Sequence, residues 1–277
     1  MHIVCCLKQV PDTADVKIDP ETNTLIREGV ESISNPYDLV ALEQAVRIRE
    51  QYGGMVSAVS MGPPQARAVL REALALGADQ AFLLSDRAFA GADTLATSYT
   101  LAQSILVLDR QMPVGLVLCG KQAIDGDTAQ TGPGIATRLG YSQFTYVLAV
   151  DRIDPDNKGE IQVRRKVESG QEVLKGPLPA LLTVELELAE PRRASLPGLM
   201  VSLRQEVPAW DSKTIEAEAD QLGLKGSPTW VKKIGAPPAK TSGPRFDASS
   251  EPGQAVADAL ETLLSDSDFA ADLNLQP

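Results

Sequence analysis

With 277 residues, 43% of them hydrophobic, the chain can bury a large core as one enlarged domain or as a domain with an appendage. The formal charge is −11, and no block of Lys and Arg could neutralise a phosphate backbone, which argues against nucleic acid as a partner. Cys5, Cys6 and Cys119 stand in apolar runs without metal-ligand spacing, and the single histidine, His2, leaves little scope for Ser-His-Asp or Cys-His hydrolysis.

Met1-His2 runs straight into a short strand over residues 3–7, so no signal peptide is expected, and no apolar stretch approaches the length of a membrane span. A reducing, cytoplasmic compartment is expected. After an insertion carrying Asp19-Pro20-Glu21-Thr22-Asn23-Thr24, Asn35 is placed to cap a helix whose first position is Pro36, with Glu43 and Arg47 as an i, i+4 pair. A strand over 56–60 follows, then a helix over 64–76. Its apolar stripe is Ala66, Val69, Leu70, Ala73 and Leu74, and Gly77 sits at its left-handed end. A strand over 81–84, a helix over 94–108 and a strand over 114–119 continue the alternation. Near-continuous apolar strands between amphipathic helices predict an α/β fold: a doubly wound, mostly parallel, Rossmann-like sheet covered on both faces.

Beyond residue 119, Gly120-Lys121-Gln122-Ala123-Ile124-Asp125-Gly126-Asp127-Thr128-Ala129-Gln130-Thr131 leads into a helix expected over 128–139, with Asp127 and Thr128 as caps. A helix start after a glycine-containing strand exit offers unpaired backbone N–H groups and a positive dipole end, which hold a phosphate through main chain. An ordinary capped βα loop without ligand explains the same pattern about as well. In a doubly wound sheet, ligands bind beyond the carboxyl ends of the strands where chain order reverses. The strand exits Cys6-Leu7-Lys8, Ser60-Met61-Gly62-Pro63 and Gly120 to Thr131 are therefore expected to converge with Asn35-Pro36-Tyr37-Asp38 on one crevice. Lys8 and Lys121 are each within reach of a phosphate oxygen or are solvated lysines at strand ends.

The later chain changes texture. Strands are expected over 144–150, 160–167 and 180–187, separated by turns over 154–159 and 168–171, as an antiparallel addition to the sheet. From Pro191 onward strand patterns stop, which suggests a segment that lies on another protein; residues 237–253 read as a linker and 255–264 as a short amphipathic helix that docks on a larger body. The expected organisation is an α/β nucleotide-binding domain over 1–190, a loop over 191–204 and a C-terminal arm over 205–277.

Residues 120–131, read with Val4-Cys5-Cys6-Leu7-Lys8-Gln9-Val10-Pro11-Asp12, Ile33-Ser34-Asn35-Pro36-Tyr37-Asp38 and Ala58-Val59-Ser60-Met61-Gly62-Pro63, resemble the β subunit of electron transfer flavoproteins over residues 2 to roughly 235. The resemblance implies an adenine nucleotide with Cys6, Asn35, Pro36, Tyr37, Asp38 and Met61 around the adenosine and residues 120–131 around the phosphate. It implies no catalytic side chain and a partner α subunit. The family has two versions, one holding AMP here for structure and one holding a second FAD that takes hydride from NADH and bifurcates the electrons. Gly126, where mitochondrial-type members often carry Asp, and Thr22-Asn23-Thr24-Leu25-Ile26-Arg27-Glu28-Gly29-Val30 resemble the bifurcating version, in which one electron passes through the α-subunit FAD and the other to ferredoxin or flavodoxin. Gly126 also removes a side chain and a charge beside a pyrophosphate.

Arg192-Arg193-Ala194-Ser195-Leu196-Pro197-Gly198-Leu199-Met200 resembles the family's recognition loop, whose exposed leucine docks on an acyl-CoA dehydrogenase or related oxidoreductase. By position Leu196 is the anchor, with Arg193, Ser195, Pro197 and Met200 beside it. Composition alone would fold Leu196 back into the core. Two competing readings are an ATP-binding regulatory module without flavin and a structural subunit with an empty site. The first wants Ser-Gly-Gly-x-Asp-Ser after the first strand, where Lys8-Gln9-Val10-Pro11-Asp12 stands instead.

Overall fold

The computed structural model describes residues 1–12, 17–18, 25–26, 32–154, 159–230, 232 and 244–265. The insertion residues 19–24, most of the 22–30 string, residues 155–158 of the expected turn and residues 237–243 of the expected linker lie outside the described residues. Two compact units are distinguished, Met1–Ile234 and Gly235–Pro277.

The first unit is built on a nine-stranded sheet ordered β11-β10-β9-β12-β8-β1-β6-β7-β13. Its strands are β1 (His2–Cys6), β6 (Met55–Met61), β7 (Gln80–Leu84), β8 (Val114–Gly120), β9 (Ser142–Asp154), β10 (Glu160–Val167), β11 (Gly170–Pro177), β12 (Ala180–Val184) and β13 (Ala209–Trp210). Two small antiparallel pairs stand apart, β2 (Gln9–Pro11) with β5 (Ser32–Ser34) and β3 (Lys17–Ile18) with β4 (Leu25–Ile26). From β1 the chain moves outward through β6 and β7, then returns to β8 on the other side of β1, and both neighbours of β1 run parallel to it. That reversal puts the switch point between the carboxyl ends of β1 and β8, where an α/β sheet opens a crevice.

Alternation along β1 distributes the core. Ile3, Cys5 and Leu7 face helices α1 (Pro36–Tyr52) and α2 (Arg67–Ala75), whereas Val4 and Cys6 face α3 (Thr94–Gln111) and α4 (Thr131–Leu139). Both faces are therefore apolar, as a helix-covered parallel sheet requires. Gly77, at φ +116, ends the α2 segment with the Ala78 N–H reaching back to the Ala73 carbonyl. His2 is buried: its Nδ1 donates to the Met112 carbonyl and its Nε2 meets Ser57 Oγ, so the one histidine serves the sheet.

Four expectations change. Residues 180–184 form a central strand running parallel to both β8 and β9, and the antiparallel addition is β9-β10-β11. Gly170 opens strand β11 instead of sitting in a turn. Helix α4 begins at Thr131, three residues later than expected, with Gln130 at the N-cap position and no side-chain cap. Residues 196–222 fold against the sheet domain. Helix α5 (Leu196–Arg204) lies on α2, β13 extends the sheet beside β7, and Trp210, Ile215 and Leu222 join the core on the α3 face. Trp210 stacks at 4.3 Å from Phe82, which explains how a two-residue strand holds its edge. In the second unit the amphipathic helix, α6, spans Pro252–Leu264 and leaves Val256, Leu260, Leu263 and Leu264 exposed. Among the described residues no helix is long and apolar enough to cross a membrane, and no group of three or more potential metal ligands occurs.

Candidate functional site

The crevice is stitched together by two side chains at the start of α1. Asp38 accepts from the Lys8 backbone N–H through one carboxylate oxygen (2.8 Å) and from the Gly120 N–H through the other (2.9 Å). The ends of β1 and β8 are thus fixed to one carboxylate. Asn35 does not cap α1 through its side chain. Its Nδ2 donates to the Gln122 carbonyl at 2.9 Å, and its Oδ1 accepts from the Ile124 N–H at 3.3 Å. Burial pushes the Asp38 carboxyl up to about 7, against the downward pull of the Gly120 and Lys8 amides and the Asn35 side chain. Asp38 therefore shapes the crevice with oxygens already engaged by main chain, and it adds less negative charge near neutral pH than an ordinary aspartate.

Gly120 is required by close approach: a Cβ there would overlap Tyr37 Cβ and come within 2.7 Å of Asp38 Oδ1. Gly132, in the first turn of α4, meets Thr183 and Cys119 in the same way, and Gly134 meets Ser98 of α3. Gly126 is different. A Cβ placed there meets nothing within 4 Å, and the residue is not among those with positive φ, so neither packing nor conformation within the chain demands glycine. Asp127 (φ 50) and Ala129 (φ 53) both adopt left-handed backbone, a strained choice for residues with side chains. They deliver the chain to an uncapped α4, whose first N–H groups have no acceptor within the helix. Asp127 is no cap: its Oδ1 accepts from Gln122 Nε2 at 2.7 Å. Thr128 is exposed, Ala129 is half-buried, and Gln130 accepts from Thr94 Oγ1 at 3.0 Å.

Both lysines already have carboxylate partners. Lys8 Nζ reaches the two oxygens of Asp125 at 2.7 and 2.8 Å, spanning from the β1 exit to the loop. Any phosphate at this point competes with Asp125 for Lys8. Lys121 turns away to Glu185 at 3.0 Å and lies over the rings of Tyr37 and Tyr146, 5.3 and 5.7 Å from their centroids. It anchors the root of the loop. Glu185, at 3% exposure, is a residue that sequence reading absorbed into a strand. Cys6 is buried beside Asp38, and burial first and the Asp38 charge second push its thiol up to about 12, which keeps it protonated. Cys5, Cys6 and Cys119 are all free. Met61 and Gly62 are placed by the sheet, at the end of β6 beside the β1 exit.

The residues expected to meet a partner lie on another surface. Leu196, 71% exposed, opens helix α5; Ser195 caps it by accepting from the Gly198 N–H at 3.1 Å, Pro197 occupies the first turn, and Met200 lies one turn on. The core reading of Leu196 is overturned. Arg193 is exposed, whereas Arg192 is bound to α1. Shallow grooves of about 480 Å³ flank this region, one lined by Pro36, Leu39 and Leu186 and the other by Arg71, Arg193 and Leu203, and neither includes the loop over 120–131.

Comparison with known proteins adds an independent finding. Residues 22–215 match the electron transfer flavoprotein domain. Protein FixA of Azotobacter vinelandii is 50% identical over 238 residues, covering 86% of this chain and 84% of that protein. The electron transfer flavoprotein subunit beta of Clostridium acetobutylicum is 50% identical over 247 residues, with 89% and 92% covered. That of Thermoanaerobacterium thermosaccharolyticum is 47% identical over 266 residues, with 96% and 98% covered.

Proposed function

This chain belongs to the electron transfer flavoprotein family as a β subunit, and on that premise we propose that its crevice holds a second FAD and that the αβ heterodimer bifurcates the electrons of NADH. Family membership makes the chain an electron-transfer subunit of a flavoprotein, with an α subunit as its partner, and displaces the reading as an ATP-binding regulatory module. The observation that carries the finer proposal is Gly126, a glycine that neither its backbone conformation nor its neighbours call for, set in a loop that ends on an uncapped helix. An exposed position without a side chain, in a loop that leads to the amino end of a helix, leaves room for a ligand larger than AMP.

The bound flavin would supply hydride acceptance and one-electron release. The chain supplies the rest. The N–H groups at the start of α4 and the left-handed turn at Asp127 and Ala129 bind the pyrophosphate, with Lys8 exchanging Asp125 for a phosphate oxygen. Asn35 and Asp38 hold the β1 and β8 exits at a fixed separation, and Met61 and Cys6 offer soft, unreactive surface to the adenosine. No side chain of the crevice acts as acid or base. Leu196 would meet an acyl-CoA dehydrogenase-type partner served by the α-subunit FAD, and ferredoxin or flavodoxin would be the second acceptor.

Anaerobic titration of the heterodimer with NADH tests this. Bleaching of two flavins is expected; a flavin spectrum indifferent to NADH would return the chain to the conventional role, with AMP in the crevice as structure.

A further inference from the structure

Helix α5 has nine residues, too few to hold a helix together in water without outside support. It nevertheless carries an exposed apolar stripe, Leu196, Leu199, Met200 and Leu203, at i, i+3, i+4 and i+7, with exposures of 71, 45, 45 and 76%. Its other side is held against α2. A Cβ at Gly198 would overlap the Ala75 carbonyl, Ser202 is buried, and Arg71 NH1 donates to the Ser202 carbonyl and, at 3.0 Å, to that of Gln205. The carboxyl end of the helix is therefore tied down by one arginine.

The amino end is tied down by another. Arg192 donates to Glu43 through its backbone N–H (3.1 Å), its Nε (2.7 Å) and its NH2 (3.3 Å), and to Glu50 through NH1 (2.6 Å) and NH2 (3.0 Å). Glu43 is itself 4% exposed and accepts Arg47 Nε at 2.6 Å, and Arg47 reaches on to the Glu190 carbonyl at 3.3 Å. Residues 190–192 are thereby locked to one face of α1, three residues before the Ser195 cap. A fork of planar N–H donors held by two carboxylates fixes direction as well as distance, which a flexible loop start could not do.

We infer that Arg192 is a positioning residue for partner docking: with Glu43 and Glu50 it sets the angle at which the α5 stripe meets the electron-transfer partner, so that the stripe is preorganised rather than ordered on contact. The inference rests on the reading of α5 as the docking element. A preorganised helix avoids the entropy of ordering its side chains and backbone at each encounter, and that saving appears in affinity rather than in the transfer step.

The test uses the αβ heterodimer as substrate of an acyl-CoA dehydrogenase, comparing wild type with Arg192→Gln, Glu50→Gln, the double variant and Leu196→Ala. Arg192→Gln is expected to raise KM for the heterodimer about fivefold with kcat and nucleotide content unchanged. Hydrogen exchange should quicken at residues 192–204 and stay unchanged in the loop over 120–131. Glu50→Gln should do the same more weakly, and the double variant should be no worse than Arg192→Gln, because Glu50 acts through Arg192. Wild-type KM and exchange in both Arg192→Gln and Glu50→Gln, beside a raised KM in Leu196→Ala, would overturn the positioning role alone. Wild-type KM in Leu196→Ala would overturn the docking reading and this inference with it.

Discussion

Helix α1 carries a buried acid at each of two surfaces, Asp38 against the exits of β1 and β8 and Glu43 against the segment that precedes α5, and the two are held on opposite terms. Asp38 receives the backbone N–H groups of Lys8 and Gly120, and burial outweighs these dipoles, so its carboxyl rises to about 7. Glu43 receives two guanidinium groups. Burial pushes its carboxyl up too, but the bonds from Arg192 and Arg47 prevail and hold it below the usual carboxylate range. Dipoles satisfy the geometry of a buried acid, whereas cations satisfy its charge. The first arrangement suits a crevice proposed to take an anionic ligand, since a carboxyl that gains a proton near neutral pH repels phosphate less. The second suits a clamp that must stay ionised and fixed.

The comparison breaks most severely at Gly120→Ala. The new Cβ lies 2.7 Å from Asp38 Oδ1 and 2.9 Å from the Tyr37 backbone carbon, so both strand exits must shift. A loss of about 3 kcal/mol in chemical denaturation of the heterodimer is expected, together with loss of the crevice nucleotide. Asp38→Asn comes next. An amide offers one acceptor where two N–H donors wait, which costs about 1–3 kcal/mol at pH 5. The sign with pH follows from the raised carboxyl. Between the unfolded value of about 4 and the folded value of about 7, the native state holds a proton that the unfolded chain has lost, so the Asp38 contribution falls as pH rises through that window. Asn has no such term, and the gap between wild type and Asp38→Asn should narrow from pH 5 to pH 8 in paired denaturation curves.

Glu43→Gln leaves two arginines without their shared carboxylate. Because the Arg192 and Arg47 side chains are 33 and 49% exposed, the cost should be about 1–2 kcal/mol, below that of a fully buried pair. Its pH dependence has the opposite sign to that of Asp38: the Glu43 contribution is present above the unfolded value and lost as pH falls through the depressed folded value. Leu196→Ala should be the mildest, within about 0.5 kcal/mol of wild type in stability because the side chain is 71% exposed. Its effect belongs in stopped-flow transfer to the dehydrogenase, which should slow.

What could be read beforehand was whatever is written locally. The apolar runs of β1, β6 and β8 announce themselves by period, with bounds that differ from expectation by a residue, and so does the stripe of α2, although its α-helix starts three residues late, after a 3-10 turn over Pro64–Ala66. The direction of a strand is not local. Residues 180–184 read as a strand, but their place between β8 and β9 depends on a chain path that composition does not encode. Strand β11 escaped because Gly170, Gly176 and Pro177 look like turn chemistry and its outer position leaves Val173 59% exposed. The late start of α4 follows from left-handed Asp127 and Ala129, residue types for which positive φ is not the default. Charge partners were the least legible. Lys121, read as a phosphate ligand or a solvated lysine, finds Glu185 across 64 positions, and Arg192, read as part of the recognition loop, finds Glu43 across 149, so both turn out to be anchors.

The central claim, that this crevice holds a flavin, is tested most directly by releasing the nucleotides of the purified αβ heterodimer by denaturation and counting them. Two FAD and no AMP per heterodimer is the predicted result. One FAD with one AMP would contradict the account and leave the loop from Gly120 to Thr131 as the cradle of a structural nucleotide.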